Sequence, residues 1–396
     1  IIIPRLAEME ARGLLAARLD VTPWSDDYWP IFRGGLGSRY ADLSFMWHSN
    51  WGGMNAYVRS NSVRSIVAEG DEARLRTLSP SEKYSLWAGD STDRLTAKEW
   101  ATGQWYVNET GQVESWMGIC HGWSPASFME KRPLRKVSVL AANGRTPLEF
   151  YPSDIRALAS LLWAKTNTPT RYLGLRCNEK DVVRDSAGRE ARPECIDVNP
   201  GAWHVAVVSQ IGGERRSLIL DVTYDYQVWN QPVVGYSYTY FNPQTWNAHG
   251  TLAEAAVRLD AWHTDKYRAF RSKAAVSVVG ITFQLTYGAE GRPGHVDDET
   301  GFEENLNTVE YSYDIELDQR GMIVGGEWYQ QKHPDFLWVP VPGAEPTTVG
   351  DSAVVSLFDW ARGMLPEWRQ AALASAEQNQ PMMKLVRALI SRSRGE

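Results

Sequence analysis

Cysteine is scarce, basic clusters are missing and no long apolar run occurs in this sequence of 396 residues. A membrane-spanning helix needs about eighteen or more consecutive apolar residues, and no stretch approaches that length. Binding to nucleic acid favours clustered Lys and Arg, whereas this chain carries a formal charge of −7 and no long basic run. We therefore expect neither a membrane span nor a nucleic-acid partner.

The apolar and charged fractions, 43% and 22%, are those of a globular protein with a sizeable core. Tryptophan is abundant, with eighteen copies. Most of these side chains are expected in the core, because Trp offers the largest apolar surface of any residue. The length allows one large domain or two ordinary ones.

The three cysteines are Cys120, Cys177 and Cys195. Cys177 and Cys195 enclose one polar, irregular stretch, which favours a disulfide worth roughly 3 kcal/mol in loop entropy. Zinc is disfavoured, because further ligands at metal-binding spacing are missing nearby. The pairing leaves Cys120 as the free thiol, and a disulfide of this kind indicates an exported, extracellular protein.

Cys120 lies in a glycine-containing turn, Ser115 to Ser127, that leads into a predicted short helix with Pro125 in its first turn. A thiol at a helix N-terminus is near the positive end of the helix dipole, which lowers the thiol pKa and favours the nucleophilic thiolate. A buried structural cysteine in a Trp-rich core explains the same stretch equally well.

Helical patterns dominate the first hundred residues, and period-two patterns begin near Trp203, so we expect an α+β fold. Three regions are predicted. Residues 1–100 form an N-terminal, mainly helical lobe or the remnant of a propeptide, 101–340 form the catalytic domain, and 341–396 form a linker and a C-terminal helical tail.

A hairpin is predicted around Gly212-Gly213, between the β-rich runs Trp203 to Gln210 and Ser217 to Thr223. If the two glycines are the central turn residues, His204 lies directly opposite Asp221. Opposed residues have Cβ atoms about 5 Å apart, so the carboxylate would orient the imidazole. A surface His/Asp pair is the structural alternative.

Three stretches carry a resemblance to a known family: Cys120 to Trp123, Val228 to Tyr236, and Gly325 to Phe336. The second resembles the elicitor segment of the oomycete (Phytophthora) secreted transglutaminases, which have marine bacterial relatives in vibrios. Val234 stands where that segment usually has arginine. The resemblance runs from about Ser79 to Trp338.

The order Cys, His, Asp also resembles the papain-like and transglutaminase-like superfamily. The resemblance implies a papain-like core, with the catalytic cysteine at a helix N-terminus packed on an antiparallel sheet. It implies Cys120 as nucleophile, His204 as acid–base and Asp221 as its orienter.

The implied activity joins protein glutamine side chains to lysine or other primary amines through a thioester, with proteins or peptides as partners. Calcium is the implied ion, and the acidic Asp297, Asp298 and Glu299 are candidate ligands, although a solvated acidic loop is the commoner reading of such a run. Four tryptophans are candidates for an aromatic acceptor channel: Trp116, Trp123, Trp203 and Trp229. A thiol peptidase or amidase on the same triad, and a non-catalytic surface antigen or elicitor, remain alternatives.

Overall fold

The chain folds into two compact units with interleaved sequence in a computed structural model that describes residues 2–195 and 198–396, apart from the side chain at 194. The sheet unit comprises Ile1–Pro23, Thr170–Ala289 and Glu304–Val341. The helical unit comprises Trp24–Pro169, Glu290–Glu303 and Pro342–Glu396. No helix in the described ranges is long and apolar enough to cross a membrane.

The predicted division at residues 100 and 340 is wrong, because neither end of the chain forms a separate lobe. Strand Ala16–Arg18 pairs with the long strand Asn230–Phe241 of the sheet unit. At the other end, Leu385 and Leu389 are buried in the core of the helical unit. Chain ends that supply core side chains belong to the unit they pack in, irrespective of sequence order.

An antiparallel sheet forms the centre of the sheet unit, and the α+β class is confirmed. Its main path runs Ile323–Gly325, Leu306–Leu317, Ser277–Gly288, Asn230–Phe241, Ile219–Asp221, Phe336–Pro340, Thr170–Gly174. Ala16–Arg18, Ala248–His249 and Val257–Arg258 pair beside this path. The helices of this unit are Leu6–Ala11, Pro200–Val207 and Leu252–Ala255, with a 3-10 turn at Pro193–Cys195 and a π-helical stretch at Val208–Gly213.

The hairpin predicted around Gly212-Gly213 is wrong, because its first arm is helical. The Asn199 side chain accepts a hydrogen bond from the Gly201 amide at 2.9 Å, and Pro200 occupies the first turn. These are helix-start signals. Trp203, Val207 and Ile211 recur at helical spacing and are fully buried. Burial of this helical stripe overrides the β propensity of its Val residues.

The helical unit consists of helices and one two-stranded sheet. The sheet pairs Val137–Leu140 with Pro147–Phe150. The α-helices are Leu43–Met46, Trp51–Ser60, Val63–Glu69, Glu72–Arg76, Pro80–Ala88, Arg94–Thr110, Cys120–Met129, Pro152–Lys165, Pro366–Ala376 and Met383–Arg394. Short 3-10 turns lie at Ile31–Arg33, Gly35–Gly37 and Val349–Ala353.

Helix Pro152–Lys165 is the central helix of this unit, and its side chains from Pro152 to Trp163 are buried. Helix Cys120–Met129 packs against it at Gly122, where a Cβ atom would collide with the Ser160 carbonyl and with Ala164. On helix Pro80–Ala88, the Lys83 ammonium donates to the Asp154 carboxylate at 2.7 Å, and both side chains are fully buried. These contacts fix the start of the Cys120 helix relative to the core.

Gly122→Ala should lower the free energy of unfolding by about 1–3 kcal/mol, because the new methyl group overpacks the helix–helix contact. The measurement is the urea or thermal midpoint. Gly52→Ala is the matched control, since Gly52 is exposed in helix Trp51–Ser60 and meets only an ordinary contact at 3.5 Å. The control should gain up to about 1 kcal/mol from helix propensity. Equal effects would contradict the packing account.

Lys83→Met should cost about 3–5 kcal/mol, because it leaves the buried Asp154 carboxylate without its cation. Lys131→Met is the control: Lys131 also pairs with a carboxylate, that of Glu396 at 2.7 Å, but its side chain is 64% exposed. Removing an exposed pair should change stability by no more than about 1 kcal/mol. Chemical denaturation of the two variants beside wild type measures both values.

Candidate active site around Cys120

Cys120 is the first residue of helix Cys120–Met129 and is 4% exposed. Among the described residues it is the cysteine that forms no disulfide, as the sequence predicts. The turn before it comes very close to another segment: a Cβ atom on Gly118 would collide with the Tyr28 carbonyl. Glycine at position 118 therefore permits the approach that sets the direction of the Cys120 helix.

The segment around Tyr28 holds this turn through three hydrogen bonds. The Ile119 amide donates to the Tyr28 carbonyl at 2.7 Å, and the Ile31 amide donates to the Met117 carbonyl at 2.9 Å. The Tyr28 hydroxyl donates to the Ser115 carbonyl at 2.8 Å. The turn is therefore fixed on both sides of Gly118 rather than free to rearrange.

Several acidic groups lie close enough to Tyr28 to affect its pKa. Burial raises the pKa of Tyr28 to about 12, helped by the negative charge of Asp27 and, more weakly, of Glu290 and Cys120. Burial likewise raises the pKa of Asp27 to about 7, with the neighbouring Asp26 charge as a second cause. Titratable groups with shifted pKa values are enriched at functional sites, although structural ion pairs show them too.

Asp26 belongs to a structural ion-pair cluster. Its carboxylate lies 3.4 Å from the guanidinium of Arg156, which also pairs with Glu299. It accepts a hydrogen bond from the Trp29 indole at 2.8 Å. These contacts hold the Trp24–Trp29 stretch. Sequence reasoning missed the role of this stretch, although an acidic pair enclosed by tryptophans was a visible signal for it.

His204 is not on a strand opposite Asp221, and this prediction is wrong. Its ring lies on helix Pro200–Val207, is fully buried, and packs edge-on against Tyr238 at 4.7 Å between ring centres. Nδ1 lies 2.7 Å from the Tyr313 hydroxyl, and Nε2 has no hydrogen-bond partner in the described part of the chain. Burial lowers the pKa of His204 to about 3, so the ring is neutral.

Asp221 ends strand Ile219–Asp221 and is fully buried. One carboxylate oxygen accepts hydrogen bonds from the Thr223 hydroxyl at 2.7 Å and the Trp229 amide at 3.0 Å. The other oxygen has no hydrogen-bond partner within the described residues. Burial raises the pKa of Asp221 to about 6. The hydrogen bonds of Asp221 therefore organise the turn before Trp229, and none of them reaches His204.

The four candidate channel tryptophans fall into two groups. Trp123 and Trp203 are fully buried. The Trp123 indole donates to the Trp24 carbonyl at 3.0 Å, and Trp203 packs edge-on against Phe283 at 4.8 Å. Both are core residues, so their prediction as a substrate surface is wrong. Trp116, in the helical unit, and Trp229, in the sheet unit, are half-buried.

The predicted calcium ligands are engaged by basic side chains. Asp297 pairs with Lys136 at 3.0 Å, Asp298 with Arg135 at 2.9 Å, and Glu299 with both Arg132 and Arg156. Across residues 2–195 and 198–396, no group of three or more His, Cys, Asp or Glu side chains is arranged to hold a metal ion. This acidic stretch therefore does not fit a calcium site, and a calcium requirement stays a prediction without ligands.

The predicted disulfide is confirmed: Cys177 and Cys195 are bonded, with Cα atoms 4.4 Å apart. Both residues are buried. The Cys177 amide donates to the buried Asp335 carboxylate at 3.1 Å. The bridge therefore anchors the irregular loop of the sheet unit to the strand Phe336–Pro340 that Asp335 precedes.

Comparison with known proteins identifies the family of this chain. A model of the transglutaminase elicitor family matches residues 6–357. The crystal structure of the GP42 transglutaminase from Phytophthora sojae has a similar fold, with a TM-score of 0.57, 20% sequence identity and 94% of each chain covered. No curated protein matches this chain. From the family match over most of its length, the chain belongs to the transglutaminase elicitor family.

Proposed function

We propose that this protein is a protein-glutamine γ-glutamyltransferase with Cys120 as its nucleophile. The observation that carries the proposal is a thiol outside any disulfide at the first residue of a helix, on a turn held by the Tyr28 segment. A helix N-terminus stabilises the thiolate, the reactive form of cysteine. The family match supports acyl transfer as the class of reaction.

In the first half-reaction, the Cys120 thiolate attacks the carbonyl carbon of a glutamine side chain. A C–S bond forms, and the negative charge moves to the former carbonyl oxygen. The Gly122 and Trp123 amides already donate to the Ile119 carbonyl, so the amides before them at the start of the Cys120 helix are the ones suited to stabilise this oxyanion. Collapse of the intermediate breaks the C–N bond, and the nitrogen takes a proton. Ammonia departs, and the acyl group remains on Cys120 as a thioester.

In the second half-reaction, a neutral primary amine attacks the thioester carbon. An amide bond forms, the C–S bond breaks, the amine loses a proton, and the Cys120 thiolate is regenerated. Water attacks the same thioester to give a carboxylate, which is deamidation. Exclusion of water therefore separates a transglutaminase from an amidase.

Two proton transfers require an acid–base group, a role first assigned to His204 with Asp221 as its orienter. Aromatic rings of Tyr238 and Phe283 pack edge-on against His204, and burial lowers its pKa to about 3, so the neutral ring has no acidic proton to donate and a structural role is favoured. Asp221 keeps a carboxylate oxygen without a hydrogen-bond partner in the described chain and has a pKa of about 6. A pKa in this range suits acid–base work, so Asp221 remains in the proposal.

A non-catalytic elicitor is the second candidate function, since the family carries that description. Its predicted recognition segment, Val228 to Tyr236, lies largely within strand Asn230–Phe241. That strand pairs with Ile219–Asp221 on one side and with Ser277–Gly288 on the other, and its side chains from 230 to 236 are buried. A receptor would meet this segment only after local unfolding or proteolysis, so the intact fold favours the enzyme.

We place the enzyme outside the cell, where the Cys177–Cys195 bridge is stable, and infer that its partners are proteins exposing glutamine and lysine.

Cys120→Ala should abolish incorporation of a fluorescent primary amine into casein, because the thioester cannot form without the thiol. Wild type should label casein in the same assay. Cys120-dependent release of ammonia or cleavage of casein without labelling would favour the amidase or peptidase. Identical behaviour of wild type and variant in every assay would contradict a catalytic Cys120.

His204→Gln should leave kcat within a few-fold of wild type while lowering the melting temperature, because it disturbs a packed core rather than the chemistry. Loss of a true acid–base residue typically costs about 10²–10⁴ in rate. Asp221→Asn, which keeps size and shape, should show such a loss, and its residual kcat should no longer follow the wild-type pH profile. A collapse of kcat in folded His204→Gln would restore that histidine as the acid–base.

Two separate experiments test whether the reaction requires calcium and whether the acidic stretch at Asp297 and Asp298 binds it. If calcium assists the reaction through other groups, a chelator should suppress amine incorporation and added Ca²⁺ should restore it. Asp297→Asn with Asp298→Asn should then leave the calcium concentration for half-maximal activity unchanged, because these carboxylates pair with Lys136 and Arg135. A large increase in that concentration would show that the acidic stretch binds calcium after all.

A further inference from the structure

A groove of about 630 Å³ lies on the helical unit, and none of the residues proposed for catalysis lines it. We call it the C-terminal groove. Its walls are Trp87, the strand Val137–Leu140, the segment Phe358 to Met364, and the side chains of Arg369 and Arg392. Much of this wall follows residue 357, where the family match ends.

Aromatic rings form one side of the groove. Trp87 and Trp360 are stacked, with ring centres 6.1 Å apart and planes 12° from parallel. Phe358 meets both rings edge-on, at 5.4 Å and 4.9 Å. Trp360 and Phe358 are only half-buried, so ring surface remains for a ligand. Rings held by one another offer a rigid apolar contact at low entropic cost.

Positive charge forms the other side. Arg392 lies over the Trp360 ring at 5.6 Å and has no ion-pair partner in the part of the chain that the structure describes. Arg369 donates to the neutral carbonyls of Met364 and Ala142. Among the described residues, the Arg362 side chain forms an ion pair with one carboxylate, that of Asp359, at 3.6 Å. Three guanidinium groups and one carboxylate leave the groove cationic, although the whole chain has a formal charge of −7.

The strand in the wall adds backbone groups. Within the described residues, Val137–Leu140 pairs on one side only, with Pro147–Phe150. A strand with an unpaired edge accepts an extended peptide through main-chain hydrogen bonds. Just before Phe358, Val355 is 97% exposed and Leu357 91%, which extends the apolar surface beyond the groove.

From these features we propose that the C-terminal groove binds an extended acidic peptide segment of a partner protein. One aromatic or aliphatic side chain of that segment inserts beside Trp360 and Phe358. Flanking Asp or Glu side chains meet Arg362 and Arg392, and the peptide backbone follows strand Val137–Leu140. The open strand edge favours a peptide over an acidic polysaccharide, which has no amide groups to pair with it. The proposal is independent of the proposed catalysis.

The test is fluorescence anisotropy with the chain of 396 residues and a labelled peptide that carries one Phe among Asp and Glu residues. We expect saturable binding that weakens as salt rises, since the charges are exposed. The same peptide with Lys in place of each acid should not bind. Equal binding of both peptides, or no binding of either, would overturn the proposal. Stronger binding of polygalacturonate than of the acidic peptide, measured by competition, would also overturn the proposal.

Arg362→Glu with Arg392→Glu should weaken binding of the acidic peptide by at least about tenfold, equal to 1.4 kcal/mol. Arg64→Glu with Arg320→Glu is the matched control, because both arginines are exposed and the charge change is the same. Arg362→Gln with Arg392→Gln provides a milder second variant, and circular dichroism checks that each protein folds. Equal affinities of the groove and control variants would contradict the proposed site.

Discussion

The close contact between helix Cys120–Met129 and helix Pro152–Lys165 is the constraint on which the candidate active site depends. Gly122 removes the side chain that would separate the helices, and the Ser160 carbonyl occupies the space. The buried Lys83–Asp154 pair holds the central helix to its neighbour on the other side. A reactive thiol at a helix start is useful for catalysis only if that start is fixed, because a small displacement of a reacting atom is costly in rate.

The Tyr28 segment completes this arrangement from a distant part of the sequence. It holds the turn through the Ile119 amide and is in turn held by the cluster of Asp26, Arg156 and Glu299. Glu299, predicted as a calcium ligand, thus contributes to the stability of this part of the helical unit. Carboxylates that neutralise buried arginines are not available to a metal without leaving those arginines unpaired.

Local signals predicted the fold well where they describe a single element. The run Ser79-Pro80-Ser81-Glu82 has the residues of a capping box, and a helix with that capping box begins there. The disulfide predicted between Cys177 and Cys195 is present. The helix predicted from the glycine-containing turn and Pro125 is present and begins at Cys120, but Pro125 lies inside the helix rather than in its first turn. Each of these depends on chemistry within a few residues or on the scarcity of cysteine.

Predictions failed where distant packing decides the outcome. Val205, Val207 and Val208 suggested a strand by propensity, but Asn199 starts a helix and the sheet buries its apolar stripe. The predicted strand therefore placed His204 directly opposite Asp221, and it did not anticipate the aromatic side chains that surround the His204 ring. The interleaving of the two units could not be predicted either, because sequence order does not record which hydrophobic core a segment joins.

We propose above that Cys120 forms a thioester with the glutamine side chain of a substrate. Mass spectrometry of the intact protein, incubated with a glutamine peptide in the absence of amine, tests it most directly. We predict an adduct at Cys120 equal to the peptide less one ammonia, which a primary amine removes and which Cys120→Ala lacks. A protein that never forms this adduct, while remaining folded, would contradict the claim.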